Sequence, residues 1–433
     1  MSHKRAIASN TAYQIINKFV TAGSTLLISI LITRLLGAET YGEYSIVTTY
    51  VLTFFLLSDF GVNAIVVQEF AKDINVAKEN FAKVLTLRIV FGTLLMLTAL
   101  IGLYFVPYSE VVKLSILISL PLILFISVSS SASLIFQSFL RYDYQAKASV
   151  WGSGLILVLA ALSILLFGDS LVALVTASLI GSALTPFLSL YFIREYLSRS
   201  VKWIDFEYWK HVVYDAFPMG MALSLNVLMI HADRLILSIL STAYSVGIYN
   251  LSYKIFDIVL VLPTFFMNAV YPILVKIKAE SEEKYRIFTV KAFIYLFTAG
   301  IVLTILGISF SAYLIPAIWG FQMNDAVIPF NILMTGLVFF FLTAPLSWVA
   351  LLEGKKFYLM WIYGIAFFCN AFLNWYYIPL YDYYAAAVLT VLTESFVFCV
   401  LALLVGRKFV GYFRNIKISD LFDIRGMTKG DAD

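Results

Sequence analysis

Stretches of about 20 consecutive apolar residues recur along the whole chain, each long enough for an α-helix to cross a bilayer. Twelve can be read, from 12–35 to 383–405, six in each half. In lipid the backbone must satisfy its own hydrogen bonds, so such a chain folds as a bundle of α-helices. The expectation is an all-α polytopic membrane protein. Composition agrees, with 61% hydrophobic and 13% charged residues, where soluble domains carry about 25% charged.

Lys and Arg order the helices across the membrane, because loops rich in them stay on the cytoplasmic side. With the N-terminus inside, only Arg34 and Lys113 of the 30 basic residues fall in outer loops, and only Lys18, Arg88, Arg234 and Lys254 within spans. Both termini are therefore expected in the cytoplasm. The net charge of +4 reflects this loop bias, and no nucleic-acid partner is implied. The segment Arg194 to His211, which alternates basic residues with Tyr196, Trp203, Phe206 and Trp209, suits a headgroup region. It divides the chain into an N-terminal six-helix lobe at 1–193, an interfacial linker at 194–211, a C-terminal six-helix lobe at 212–405 and a tail at 406–433. The halves echo one another. TRLLGAETYGEY (Thr33 to Tyr44) and DRLILSILSTAYSVGIY (Asp233 to Tyr249) each carry Arg-Leu, then Gly-x-Tyr at the opening of the next span. An even number of spans per half makes these parallel repeats, which are a transporter architecture.

Charges inside the spans point to a cavity. An ionised side chain at mid-bilayer costs about 2.5–3.5 kcal/mol, so it faces a partner or water rather than lipid. Four bases (Lys18, Arg88, Arg234, Lys254) stand against four acids (Asp59, Asp233, Asp257, Glu394), all on spans one, two, three, seven, eight and twelve. Asn17 belongs to a polar stripe on span one with Asn10, Gln14 and Thr21, and Asn250 to one on span eight with Lys254 and Asp257. Buried polar packing between helices explains such stripes equally well. Glu394 near the middle of span twelve and His231 beside Asp233 are groups able to exchange a proton. With Asp59, Asp233 and Asp257 they form the ion-coupling candidates. The sequence has no P-loop, no HExxH and no Cys/His metal cluster, so neither direct ATP drive, a catalytic centre, a metal nor a cofactor is expected.

The opening NTAYQIINKFVTAGSTLLISILITRLLGAETYGEYSIV, with HADRLIL and VGIYNLSYKI, resembles the polysaccharide-transporter branch of the multidrug/oligosaccharidyl-lipid/polysaccharide exporter (MOP) superfamily. Those proteins are flippases for O-antigen and capsular repeat units carried on undecaprenyl diphosphate in the bacterial inner membrane. The resemblance implies a MATE-like pair of six-helix lobes, alternating access between them, and a central cationic cavity for the diphosphate and sugar. Lys18, Arg88, Arg234 and Lys254, with Asn17 and Asn250, are then the candidate substrate contacts, since charge-assisted donors suit phosphate oxygens. The expected partners are the lipid-linked oligosaccharide and membrane lipids, with a glycan polymerase and a chain-length regulator as further candidates. Two alternatives stay open: a drug or cation antiporter of the same superfamily, and a membrane-embedded glycan polymerase, against which the short outer loops argue.

Overall fold

The computed structural model describes residues 3–58, 60–196 and 202–414, all of it helix, turn and short connection. Asp59, part of the 194–211 linker and the tail beyond 414 lie outside the described residues. The first half contains α1 (His3–Leu35), α2 (Ala38–Leu56), α3 (Val62–Phe70), α4 (Ile74–Phe105), α5 (Glu110–Ser119), α6 (Pro121–Ser138), α7 (Tyr142–Phe167), α8 (Leu171–Ser182) and α9 (Leu184–Ile193). The second contains α10 (Phe206–Leu240), α11 (Ala243–Glu280), α12 (Glu282–Trp319), α13 (Val327–Leu352) and α14 (Lys356–Arg414).

Helix ends follow from local chemistry. Ser109, Ser170, Asp205, Thr242 and Ser281 each accept a backbone N–H from the first turn of α5, α8, α10, α11 and α12. Proline divides two of the spans. Pro121 and Pro186 cannot donate to the carbonyl four residues back, and the helix breaks between α5 and α6 and between α8 and α9. Between α2 and α3 the chain turns at Phe60 and Gly61, both at positive φ.

Nine segments among the described residues are long and apolar enough to cross a membrane. The stretch expected at 44–65 falls on α2 and the start of α3, which fall short of that standard in length or composition, and the one expected at 213–240 lies within the 35-residue helix α10. The apolar stretch Phe357–Val405 is two helices joined at Asp382, which adopts φ 53° and ψ −142°. The protein is a multi-pass membrane protein. The Lys- and Arg-rich connections, 71–73, 139–141, 194–196 with 202–205, and 353–355, gather at one end of the bundle, called here the basic end; the turns at 36–37, 106–109, 168–170, 241–242 and 320–326 form the far end.

The internal repeat is visible in three dimensions. In the first half, Gly168 turns the chain between α7 and α8 at φ 59° and ψ −130°, close to the angles of Asp382 in the second. Thr40, two residues before Gly42, donates to Asp169 at 2.7 Å, and Ser245, two residues before Gly247, donates to Asp382. Asp382 is therefore held in a conformation that disfavours side chains by hydroxyls from Ser241 and Ser245. The Arg-Leu part of the echo does not share this register. Arg34 lies one residue from the end of α1, whereas Arg234 lies six from the end of α10, more than a turn deeper.

Among the described residues two apolar cores hold the bundle. The smaller lies at the basic end of the first half around Val66, Phe70, Phe81, Val84 and Phe136, and it includes Val212 of α10. The opening turns of α10 are pinned there: Tyr208 donates to Glu69 at 2.9 Å, Trp209 donates to the Lys83 carbonyl at 2.9 Å, and Lys83 pairs with Asp205 at 3.1 Å. The same helix packs on α14, so α10 links the two halves.

Candidate functional site

α1 and α2 of the first half meet α10 and α11 of the second around a cavity of about 180 Å³. Helical periodicity selects its lining. On α11, Asn250, Lys254 and Asp257 follow at spacings that keep them on one face. On α10, His231 and Arg234 are one turn apart and face the same space. Asp233 is only one residue from Arg234, which rotates it about 100° around the helix and out of the cavity. It is 1% exposed and buried in the second half.

Asp233 is held by a cage of hydroxyls. Its Oδ2 accepts from Tyr249 at 2.5 Å, Thr390 at 2.8 Å and Tyr253 at 3.0 Å, and its Oδ1 accepts the Arg234 backbone N–H at 2.7 Å. A carboxylate with four donors is fully satisfied without a counter-cation. Arg234 points the other way. Its Nη2 donates to Asp257 at 3.2 Å and its guanidinium stacks 3.9 Å over the Tyr253 ring, while Nε is buried without a partner. Lys254 makes no hydrogen bond or ion pair among the described residues and presents its ammonium to the cavity.

The remaining expected residues are dispersed. Asn17 and Lys18 lie on α1 two turns nearer the basic end than the cavity residue Thr25, with Lys18 exposed. Arg88 is 2% exposed between α3 and α4, where it donates to Asn63 at 3.0 Å, away from the cavity. Glu394 is 4% exposed and borders a separate pocket of about 10 Å³ with Asn370, Thr390 and Thr393, behind Tyr253. Asp59 lies outside the described residues.

The first-half side of the cavity is a surface that the charge pattern did not reveal. It is built from Thr25 and Ser29 on α1 and from Tyr41, Tyr44, Ser45, Thr48, Thr49 and Thr53 on α2. The cavity is thus two-sided, with every ionisable acid and base on α10 and α11 and neutral hydroxyls opposite. The spacing of 41, 44, 45 and 48 along α2 carries this signal as a helical stripe.

At the far end the halves are in contact. α2 crosses α11 so closely that a Cβ on Gly42 would sit 1.7 Å from the Ala243 carbonyl oxygen, and one on Gly247 would sit 2.9 Å from that of Ala38. Small residues permit such backbone approach in membrane helices. The two glycines of the repeated Gly-x-Tyr motif therefore meet at the crossing. Arg34 reinforces it from the end of α1, donating to the Ile318 carbonyl at 2.9 Å and to that of Ala317, at the negative end of the α12 dipole. Trp319 donates to Ser29 at 2.9 Å, and Tyr108 and Ser238 share a hydrogen bond of 2.6 Å.

A bundle of two repeated halves enclosing a polar cavity is a fold that solved membrane transporters share. The chain superposes on a lipid II flippase MurJ in an inward closed conformation with a TM-score of 0.74, 15% identity, and coverage of 95% of this chain and 89% of that one. An inward-facing multidrug resistance MATE family transporter of the MOP superfamily gives 0.72, 14%, 94% and 100%. A MOP superfamily transporter from Pyrococcus furiosus, described as having a binding pocket of reverse polarity, gives 0.67, 16%, 95% and 96%. The fold is therefore MATE-like, as the resemblance implied. The family profile described as Polysaccharide biosynthesis protein matches residues 7–278, and the chain belongs to that family. A search of curated proteins gives no match.

Proposed function

We propose that this protein flips an undecaprenyl-diphosphate-linked oligosaccharide from the cytoplasmic to the outer leaflet of a bacterial inner membrane by alternating access. The observation that carries the reading is the unpaired Lys254 ammonium beside Arg234 in a cavity shared by the two halves. Two cations against one cavity carboxylate, Asp257, leave an excess of positive charge, which suits a diphosphate. Arg234, Lys254 and Asn250 are the headgroup contacts in this reading. Lys18 and Asn17 line the approach from the basic end, which is the cytoplasmic side that holds both termini. The polyprenyl tail stays in lipid while the lobes, 1–193 and 212–405, exchange access to the cavity around the linker. Glu394 and Asp257 are the groups through which a proton or cation gradient would act. Membership of a polysaccharide biosynthesis family and the fold shared with a lipid II flippase support the substrate class.

Asp257 is also the observation that favours the antiporter alternative, since its side chain is 44% exposed to the cavity. The engagement of Asp257 by Arg234 weakens it as a free cation site. Reconstitution separates the two readings. Proteoliposomes receive either a fluorescent undecaprenyl-diphosphate oligosaccharide or an organic cation, each with and without a pH gradient. Flipping of the lipid supports the flippase; proton-driven export of the cation without lipid flipping replaces it with the antiporter.

A further inference from the structure

Three of the hydroxyls facing the cationic wall have a polarity of their own. Thr25 Oγ1 donates to the Ala22 carbonyl at 2.9 Å, Thr48 Oγ1 to that of Tyr44 at 3.0 Å, and Thr53 Oγ1 to that of Thr49 at 2.8 Å. Each hydroxyl has a single proton, so once that proton is committed to its own helix the oxygen offers only lone pairs. On the α1 and α2 side of the cavity Thr25, Thr48 and Thr53 therefore offer acceptors. The α10 and α11 side carries the cationic donors Arg234 and Lys254.

We infer that the threonine acceptors on α1 and α2 read the sugar of the substrate, and that the sugar held there is a neutral one bearing hydroxyl or acetamido groups. The inference rests on the cavity being a lipid-linked glycan site and adds the orientation of the headgroup within it. Phosphate and carboxylate oxygens at neutral pH are acceptors only, so against Thr48 and Thr53 they meet lone pairs with no proton between them. Sugar O–H and acetamido N–H groups are donors and fit. The diphosphate consequently faces Arg234 and Lys254, the sugar faces α2, and a uronic acid in the same position is disfavoured twice. It brings a charge to a wall without cations and displaces a donor. Specificity of this kind comes as much from rejecting the wrong group as from binding the right one.

The test uses the full-length protein in nanodiscs and three soluble probes read by calorimetry: geranyl diphosphate, its N-acetylglucosamine adduct and its glucuronic acid adduct. Wild type is expected to bind the N-acetylglucosamine probe about tenfold more tightly than geranyl diphosphate, the equivalent of about 1.4 kcal/mol from new hydrogen bonds. The glucuronic acid probe is expected to gain nothing. The double variant Thr48→Val/Thr53→Val keeps side-chain shape but removes the acceptors, and it should erase the tenfold increment; Thr48→Ser/Thr53→Ser should retain it, which controls for folding. Arg234→Gln should weaken all three probes in parallel. An increment that survives the valines, or valines that weaken geranyl diphosphate as much as its sugar adduct, or tighter binding of the glucuronic acid probe, overturns the inference while leaving the flippase reading intact. If wild type binds none of the three, the flippase reading falls and the inference with it.

Discussion

Replacing Gly42 with alanine should open the far end of the molecule. A Cβ there would lie 1.7 Å from the oxygen and 2.4 Å from the carbon of the Ala243 carbonyl. A carbon and a carbonyl oxygen approach no closer than about 3.3 Å even in favourable contact, so α2 and α11 must part by about 1.6 Å. Both contacting atoms are backbone, and no rotamer change relieves them. Overpacking of this order costs about 1–3 kcal/mol, and the cost falls only on the arrangement in which the two halves touch. At about 1.4 kcal/mol per factor of ten, a protein resting 99:1 closed at the far end moves to between roughly 20:1 and 1:1. Gly247→Ala meets its nearest neighbour, the Ala38 oxygen, at 2.9 Å and should shift the balance only a few-fold. Gly23→Ala meets nothing within 4 Å and should shift nothing, while gaining about 1 kcal/mol of helix propensity. Spin labels on Glu110→Cys and Phe321→Cys, at exposed far-end positions of the two halves, in a Cys369→Ser/Cys399→Ser background, report the separation. A longer distance component should grow in the order Gly23→Ala, Gly247→Ala, Gly42→Ala. Identical distance distributions for Gly42→Ala and wild type would refute the crossing as the far-end closure.

Other expectations follow from the same structure. Tyr249→Phe removes the 2.5 Å donor to the buried Asp233 carboxylate and should lower unfolding free energy by about 1–3 kcal/mol; a melting temperature equal to that of wild type would contradict the hydroxyl cage. Asp257→Asn frees Arg234 from its 3.2 Å partner and should tighten binding of inorganic diphosphate about three- to tenfold, measured by calorimetry, whereas weaker binding would make Asp257 a ligand contact. At the basic end, the Tyr208 backbone N–H first and the Lys83 ammonium second hold the Asp205 carboxyl below its ordinary value of 3.8. A lowered carboxyl stabilises the fold above its unfolded pKa and loses that stabilisation as pH falls through its folded one. The gap in thermal stability between wild type and Asp205→Ala should therefore be constant above about pH 5 and close below about pH 4; a gap that widens with acid would contradict the linkage.

Much of this architecture is legible in the sequence because the bilayer permits so few solutions. Apolar length gives the helices, the distribution of Lys and Arg orders their ends, and Gly-x-Tyr marks positions that do meet, at Gly42 and Gly247. Arg234, Lys254, Asp257, His231 and Asn250 come together because helical spacing carries over directly into a shared face. What the sequence conceals is depth and direction. Asp233 and Arg234 are neighbours along the chain yet face opposite ways, one into a cage contributed by α11 and α14, the other into the cavity. Arg34 and Arg234 belong to matching motifs but lie at different depths, so one braces the far end and the other faces the cavity. Arg88 and Glu394 are as conspicuous in an apolar run as Lys254, and only tertiary packing separates them from it. The hydroxyl side of the cavity on α2 is hidden for another reason: threonine and serine are unremarkable in membrane helices, and what each can do depends on where its hydroxyl proton is already spent, as at Thr48 and Thr53.

The central claim is that Arg234 and Lys254 form the surface on which the anionic headgroup crosses. Its most direct test is the initial rate of translocation of a fluorescent undecaprenyl-diphosphate oligosaccharide in proteoliposomes containing wild type, Arg234→Gln or Lys254→Gln, with membrane insertion quantified in each preparation. Equal insertion with flipping reduced at least tenfold in both variants is the predicted result. Flipping at the wild-type rate in either variant would contradict the account, because the charge it assigns to the headgroup would then have no part in moving it.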